Sequence, residues 1–446
     1  MRLRDRLAGS SPPVGFVPLP AAERTEQPAE PDSPERVQRL ARLRALIGEV
    51  EQRTRTRAER APAAPAPRAV LPFGTRLDTA AGPLHLIERW FEPEHCHGRV
   101  AVRDALSTPP ALLAELALEP ALQAVDLSGM LIFDTETTGL AGGAGTVPFL
   151  IGLGWFEDGG FKLEQLFLPN FGAEAPLLLR LAERLRRASC IVSYNGKSFD
   201  WPLLRARFIL NRIPLPDAPV HLDLLHCARR VLKQRLPNVR LADVERALLG
   251  FYREDDVNGA LIPGMYLSYL RGGDPRALLP VFVHNEHDVL ALAAILWRLC
   301  AHFASVRPED DPRDHLAYAR IAQRAGNVQR ARAFAEAAAQ YGEPGDASLR
   351  AHFMCATLAR RGGDPAAAAA WLQRALSNAA CEQSAARAHL LLARLYERQL
   401  KDPVRAQHHA RFTLACEGAE AHGRRLERIR RRLERLSLAQ NDELGP

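Results

Sequence analysis

The sequence predicts an α/β domain, a mixed sheet flanked by helices, followed by an all-α array of helical repeats. Three observations predict it. Between Met130 and Leu168, three apolar runs read as consecutive strands. From 173 to 225, helical and strand patterns alternate, which brings parallel strands into the same sheet. After residue 312 the pattern is almost purely helical and recurs with a fixed period.

Residues 1–68 hold ten prolines and much alanine. The stretches 10–34 and 61–68 read as disordered linkers. Between them, Glu35 to Arg60 lacks proline and places Val37, Leu40, Leu43, Leu46, Ile47 and Val50 at helical spacing. One amphipathic, arginine-rich helix is expected there, a solvated helix packed on its own protein rather than a nucleic-acid arm. Residues 69–128 read as a small β-rich lead-in followed by a helical stretch carrying Leu112, Leu113, Leu116, Leu118 and Leu122, with no recognisable chemistry.

The α/β domain is expected over 129–305. LIFDTE is a short apolar run ending in acids. The runs 148–156 and 161–168 are joined by Glu-Asp-Gly-Gly, a hairpin signal. A helix over 173–188, a buried strand over 190–195, a helix over 199–211 and a strand over 220–225 follow, and helices fill most of 225–302. Over 312–438, three segments share one layout of helix end, polar or glycine turn, and new helix start: 321–331, 358–368 and 395–406. Their step of 37 residues is a helix–turn–helix solenoid period, similar to tetratricopeptide repeats. The array ends in a basic run, Arg424 to Arg435, and is expected to bind a protein partner or assist substrate docking.

Composition narrows the function classes. Hydrophobic residues are 47% of the 446, enough for sizeable cores. No uninterrupted apolar stretch reaches about 18 residues, so no membrane span is expected, and the N-terminus has no apolar core of the secretory kind. The seven cysteines are scattered without a CxxC pair, which favours reduced thiols and a cytoplasmic location. His95-Cys96-His97 has no companion group at finger-like spacing, so zinc is not expected there. The net charge of +7 hints at a polyanionic partner, though the preponderance of arginine over four lysines also fits a GC-rich genome.

The chemistry lies in three motifs. Asp134-Thr-Glu136 ends an apolar strand, and side chains two apart on a strand share a face. Two converging carboxylates repel unless a cation lies between them, and hard oxygen donors suit magnesium or manganese. Tyr194-Asn195-Gly-Lys-Ser-Phe199-Asp200 follows a strand, with Asp200 opening a helix, where a carboxylate is also a common cap. His284-Asn285-Glu286-His287-Asp288 reads as helical; His284 and Asp288, four apart, share a face, and His287 is rotated away. Lys197 is placed to meet a phosphate or to be solvated. Tyr194, Phe199 and Trp201 are placed to stack on a base or to pack in the core. His221 and Asp223 read as supporting groups or a satisfied core pair. The glycine-rich loop 141–148 is not a phosphate-binding GxxxxGK[ST] motif and is expected to form a flexible lip.

Together and in this order, these motifs resemble the DEDD exonuclease superfamily, whose fold is ribonuclease H-like. The strings 125–154, 191–208 and 284–292 are similar to YprB-type ribonuclease H-like proteins, a resemblance covering roughly 70–302. It implies a metal-dependent 3′–5′ exonuclease acting on single-stranded 3′ ends of nucleic acid, with two Mg²⁺ or Mn²⁺ ions held by Asp134, Glu136, Asp200 and Asp288. His284 is then expected to orient or deprotonate the attacking water. One spacing departs from the pattern. Superfamily members with a histidine place four residues between it and the last aspartate, those with a tyrosine three. Here three residues separate His284 from Asp288, so the histidine takes the tyrosine-type position. The alternative from another class is an inactive nuclease fold acting as a scaffold, with the repeats as its working surface. DNA versus RNA, and exonuclease versus structure-specific endonuclease, stay open.

Overall fold

The structure is a computed structural model that describes residues 71–139, 145–217, 219–343 and 345–443. The expected N-terminal helix, both expected linkers and residues 141–144 of the glycine-rich loop lie outside the described residues.

A seven-stranded sheet forms the core of the first half, in the order β1-β2-β7-β6-β5-β8-β9. Its centre is β5 (Met130–Thr137), antiparallel to β6 (Pro148–Glu157) and parallel to β8 (Cys190–Ser193). β7 (Gly160–Phe167) continues the antiparallel side, and β9 (Val220–Asp223) continues the parallel one. The β6–β7 turn is made by Asp158 and Gly159, both at positive φ, +50° and +80°. That is the backbone a two-residue hairpin turn needs, and it explains why Asp-Gly marked the turn in the sequence. The lead-in does not stand apart from this sheet. β1 (Thr75–Thr79) and β2 (Gly82–Phe91) form a hairpin whose second strand pairs with β7, so the lead-in supplies the outer strands of the same sheet.

Helices cover both faces. Apolar residues of β5 alternate between two cores. Met130 and Ile132 join α1 (Pro110–Ala117), α4 (Leu224–Leu232) and α7 (Leu279–Ala304), whereas Leu131 and Phe133 join α2 (Glu174–Arg187), α3 (Asp200–Leu210) and α6 (Ile262–Leu270). α7 is long and apolar enough by composition to cross a membrane, but here its unbroken buried run from Val289 to Leu296 packs inside the protein. Residues 225–302, read as largely helical, divide into α4, α5 (Leu241–Leu249), α6 and α7, with an irregular stretch from 250 to 261 between α5 and α6.

The second half is all helical. α8 (Pro312–Arg324) pairs with α9 (Val328–Tyr341), α10 (Asp346–Arg361) with α11 (Pro365–Ser377), and α12 (Glu382–Arg398) with α13 (Pro403–Ala410). The repeated turn in the sequence is a repeated helix cap. Asn327, Asp364 and Asp402 each accept the backbone N–H three residues on, at 3.0, 2.8 and 2.9 Å. The array is not tethered loosely: Phe303 of α7, Tyr318 of α8 and Phe334 of α9 pack as one aromatic cluster inside the first core. After the short α14 (Leu414–Glu417), the basic run on α15 (Ala419–Glu443) is largely neutralised, because Arg425 pairs with Glu417, Arg428 with Glu397, and Arg430 and Arg431 with Glu427.

Candidate metal centre

The carboxyl ends of the parallel strands β5, β8 and β9 lie side by side. β5 delivers Asp134 and Glu136. In register, Asp134 faces Gly152 of β6. A side chain at 152 would come within 2.3 Å of Asn285 Oδ1, so glycine there lets Asn285 cross the sheet. Asn285 donates to Asp134 Oδ2 at 3.0 Å and is itself held by Gln165, whose Nε2 donates to Asn285 Oδ1 at 3.0 Å.

The second motif is a shaped loop. β8 ends at Ser193, and Asn195 takes a left-handed conformation at φ +66°. Asp223, at the end of β9, accepts the backbone N–H groups of Asn195 at 2.8 Å and Lys197 at 3.1 Å, and also caps α4 through Leu225. This carboxylate fixes the turn that starts α3, and Asp200 is the first residue of that helix. Thr135, between the two acids of β5, donates its hydroxyl to Asp200.

Every member of the third motif has a defined task on α7. His284 Nε2 lies 3.8 Å from Glu136 Oε1 and 3.6 Å from Asp288 Oδ2. Donor atoms of Glu136, His284 and Asp288 all lie within 4.8 Å of one another, a spacing that can hold an ion. Asn285 serves Asp134, and Glu286 pairs with Arg89 at 2.7 Å. His287 turns away and packs against Phe251 and His97, and burial lowers it to about 4.

Burial and the Asp288, Glu136 and Asp200 carboxylates push Asp134 well above the usual carboxylate range. Burial and the Asp288, Asp200 and Asp256 carboxylates do the same to Glu136. Asp200 is pushed up to about 6, chiefly by burial and with help from Asp223 and Asp288, against the opposing bond from Thr135. This cluster of acids from three chain segments, with Asp134, Glu136 and Asp200 resisting ionisation, gathers more negative charge than the protein compensates. That donor set, all oxygen with one imidazole at the rim, fits divalent magnesium or manganese.

Of the five residues singled out for the site, Glu136, His284 and Asp288 bring donor atoms to ion-holding distance of one another, while Asp134 and Asp200 interact with that group electrostatically. Of the supporting candidates, Asp223 shapes the loop, and His221 bonds Ser193 at 2.7 Å on the side of the core. Tyr194 gives its hydroxyl to the Val239 carbonyl at 2.8 Å, and Trp201 packs on Phe133 and His221. Phe199 is left 57% exposed one residue before Asp200.

Sequence reasoning missed an ionic network behind the third motif. Arg253, from the stretch between α5 and α6, pairs with Asp288 at 2.5 Å, with Glu245 at 2.7 Å and with Asp256 at 3.4 Å. Glu245 also meets His97 of the lead-in strand β3 (Cys96–His97) at 2.8 Å. Burial pushes Glu245 up to about 8, against the opposing pull of Arg253, and His97 down to about 4, so this contact joins a neutral imidazole to a carboxyl group. The lead-in thus has a site-supporting task after all. Asp256 in turn bonds His284 Nδ1 at 2.7 Å. Nothing in the string Arg253-Glu-Asp-Asp256 marks it, since acids in an irregular stretch are ordinary. Asn285 had a signal in its place between His284 and Asp288.

Comparison with known proteins agrees with this fold. Residues 131–300 match the family model of the RNase_H superfamily. The chain is 40% identical over 170 residues to "Uncharacterized protein YprB" of Bacillus subtilis (strain 168), covering 38% of this chain and 41% of that protein. It is 32% identical over 107 residues to "Exonuclease DPD1, chloroplastic/mitochondrial" of Arabidopsis thaliana, covering 23% of this chain and 34% of that one. The chain thus spans less than half the length of these relatives. Residues 131–300 form a ribonuclease H-like domain, homologous to YprB and to an exonuclease, and followed by an all-helical region.

Proposed function

We propose that this domain is a metal-dependent nuclease of the DEDD type, a 3′–5′ exonuclease hydrolysing phosphodiester bonds of single-stranded nucleic acid. The observation that carries the reading is the convergence of four acids from three chain segments, with Asp134, Glu136 and Asp200 all held above the usual carboxylate range. Asp134, Glu136, Asp200 and Asp288 would hold two Mg²⁺ or Mn²⁺ ions. Bound divalent cations of this kind polarise a phosphoryl oxygen and make water a nucleophile at neutral pH. His284, at the rim of the cluster, takes the proton from the attacking water. Phe199, exposed beside Asp200, offers a face on which the terminal base stacks. The helix pairs of the second half are tetratricopeptide-like and dock a protein partner; with so many α15 arginines already paired, a purely electrostatic nucleic-acid role is the weaker reading. The test is incubation with 5′-end-labelled single-stranded DNA and RNA carrying either a free or a blocked 3′ end, with Mg²⁺, Mn²⁺ or EDTA. The reading expects a ladder shortening from the free 3′ end, abolished by EDTA and by the block. Cleavage in EDTA, or internal cuts indifferent to the block, would overturn it.

A further inference from the structure

We infer that Asp256 is a positioning residue that sets the proton of His284 on Nδ1, leaving Nε2 as a free lone pair turned toward Glu136 and Asp288. The inference rests on the nuclease reading only for what that lone pair does, not for where the proton lies.

Two groups compete for Nδ1 of His284. Asp256 Oδ1 lies 2.7 Å away and, as a carboxylate, can only accept. Arg253 Nη1 lies 3.4 Å away and, as a guanidinium, can only donate. They make opposite demands. The carboxylate requires a proton on Nδ1, the guanidinium requires none. The shorter contact is the carboxylate's, and although the Asp288 and Glu136 carboxylates beside Nε2 also only accept, they stand at 3.6 and 3.8 Å, beyond hydrogen-bond distance, so in the neutral ring the proton belongs on Nδ1. The bond made by one ring nitrogen decides the state of the other. Nε2, 3.6 Å from Asp288 Oδ2 and 3.8 Å from Glu136 Oε1, is therefore the nitrogen that can receive a proton within the acidic cluster. Without Asp256 the arginine is the remaining polar neighbour of Nδ1. The proton then moves to Nε2, and the ring turns from acceptor to donor at the place where an acceptor is needed. Asp256 also bonds Arg253, at 3.4 Å. It thereby keeps the guanidinium engaged with a carboxylate rather than with the imidazole. The arginine keeps its Glu245 and Asp288 partners when Asp256 is replaced, so the stretch stays anchored.

The experiment uses the full chain, labelled with ¹⁵N-histidine and loaded with Mg²⁺, with the His284 ring signals identified by their loss in His284→Gln. The wild type should show His284 protonated on Nδ1. Asp256→Ala should move the proton to Nε2 and slow single-turnover cleavage of a short oligonucleotide by about 10–100-fold, the usual cost of losing a group that orients a histidine. Mg²⁺ affinity should stay within about threefold, because the four carboxylates remain. Asp256→Asn, whose amide oxygen still accepts from Nδ1, should keep the wild-type proton position and most of the rate. A merely structural loop residue would affect Ala and Asn alike and leave the ring pattern unchanged. A wild-type ring protonated on Nε2, or the same pattern in wild type and Asp256→Ala, overturns the inference. The expected ring patterns in a chain that cleaves nothing support the assignment and overturn only the nuclease reading.

Discussion

Removing one charge from the candidate centre should stabilise the metal-free protein while destroying its use, and Asp200→Asn is the cleanest case. Burial moves Asp200 from 3.8 to about 6. A raised carboxylate has a definite linkage sign. Between about pH 4 and pH 6 the folded chain keeps a proton that the unfolded chain has lost, so stability falls as pH rises through that window. Above about pH 6 the penalty is complete. At about 1.4 kcal/mol per pH unit it amounts to roughly 3 kcal/mol. Asparagine has the same shape, carries no charge, and its amide oxygen can still accept the Thr135 hydroxyl. In EDTA at pH 8, Asp200→Asn should melt higher than wild type, by about 3–5 °C for two halves that unfold as one unit. The difference should shrink toward pH 4. Added Mg²⁺ should raise the wild type and raise the variant less, since the variant offers the cation one carboxylate fewer and has less repulsion for it to relieve. Differential scanning fluorimetry at both pH values, with and without Mg²⁺, reads all of this. A variant that melts lower than wild type in EDTA at pH 8, or gains as much from Mg²⁺, refutes the reasoning.

Three further outcomes follow from the same geometry. His284→Ala should slow single-turnover cleavage about 10²–10⁴-fold, the scale of a lost general base, whereas His287→Ala, whose ring packs against Phe251, should leave the rate near wild type; equal effects of the two would remove His284 from the chemistry. Phe199→Ala should weaken binding of a single-stranded oligonucleotide by about 1–3 kcal/mol in a fluorescence titration without lowering the melting temperature, because the ring is 57% exposed; unchanged affinity would assign the ring no stacking role. Phe334→Ala should cost about 3–5 kcal/mol and shift one shared unfolding transition in calorimetry, since its ring stacks on Phe303 across the junction; two separate transitions, only one of them shifted, would show the halves to unfold independently.

The fold and the acids of the centre were legible because they rest on local rules. Asp134 and Glu136 read as a pair because strand alternation puts them on one face, and the Asp158-Gly159 turn reads as a hairpin because few residue pairs take its backbone. The recurring polar turns of the second half stand out because Asn327, Asp364 and Asp402 do one job each time. What was not legible depends on contacts distant in sequence. Gly152 looks like a weak point in a strand until Asn285 is seen crossing it, 133 residues on. Arg253 and Asp256 carry no spacing that points to His284, and His97 gains its meaning only from Glu245. The lead-in strands reveal their place only through pairing with β7, a partner that alternation in β2 cannot name.

The most direct test of the account compares wild type and Asp134→Ala in single-turnover cleavage of a 5′-labelled single-stranded oligonucleotide with saturating Mg²⁺ or Mn²⁺, circular dichroism confirming that both are folded. Asp134 interacts with the carboxylates of Asp288, Glu136 and Asp200, faces Gly152 and is held by Asn285. The account predicts shortening of the oligonucleotide by the wild type and none by Asp134→Ala with either metal. Cleavage by folded Asp134→Ala at the wild-type rate would contradict it.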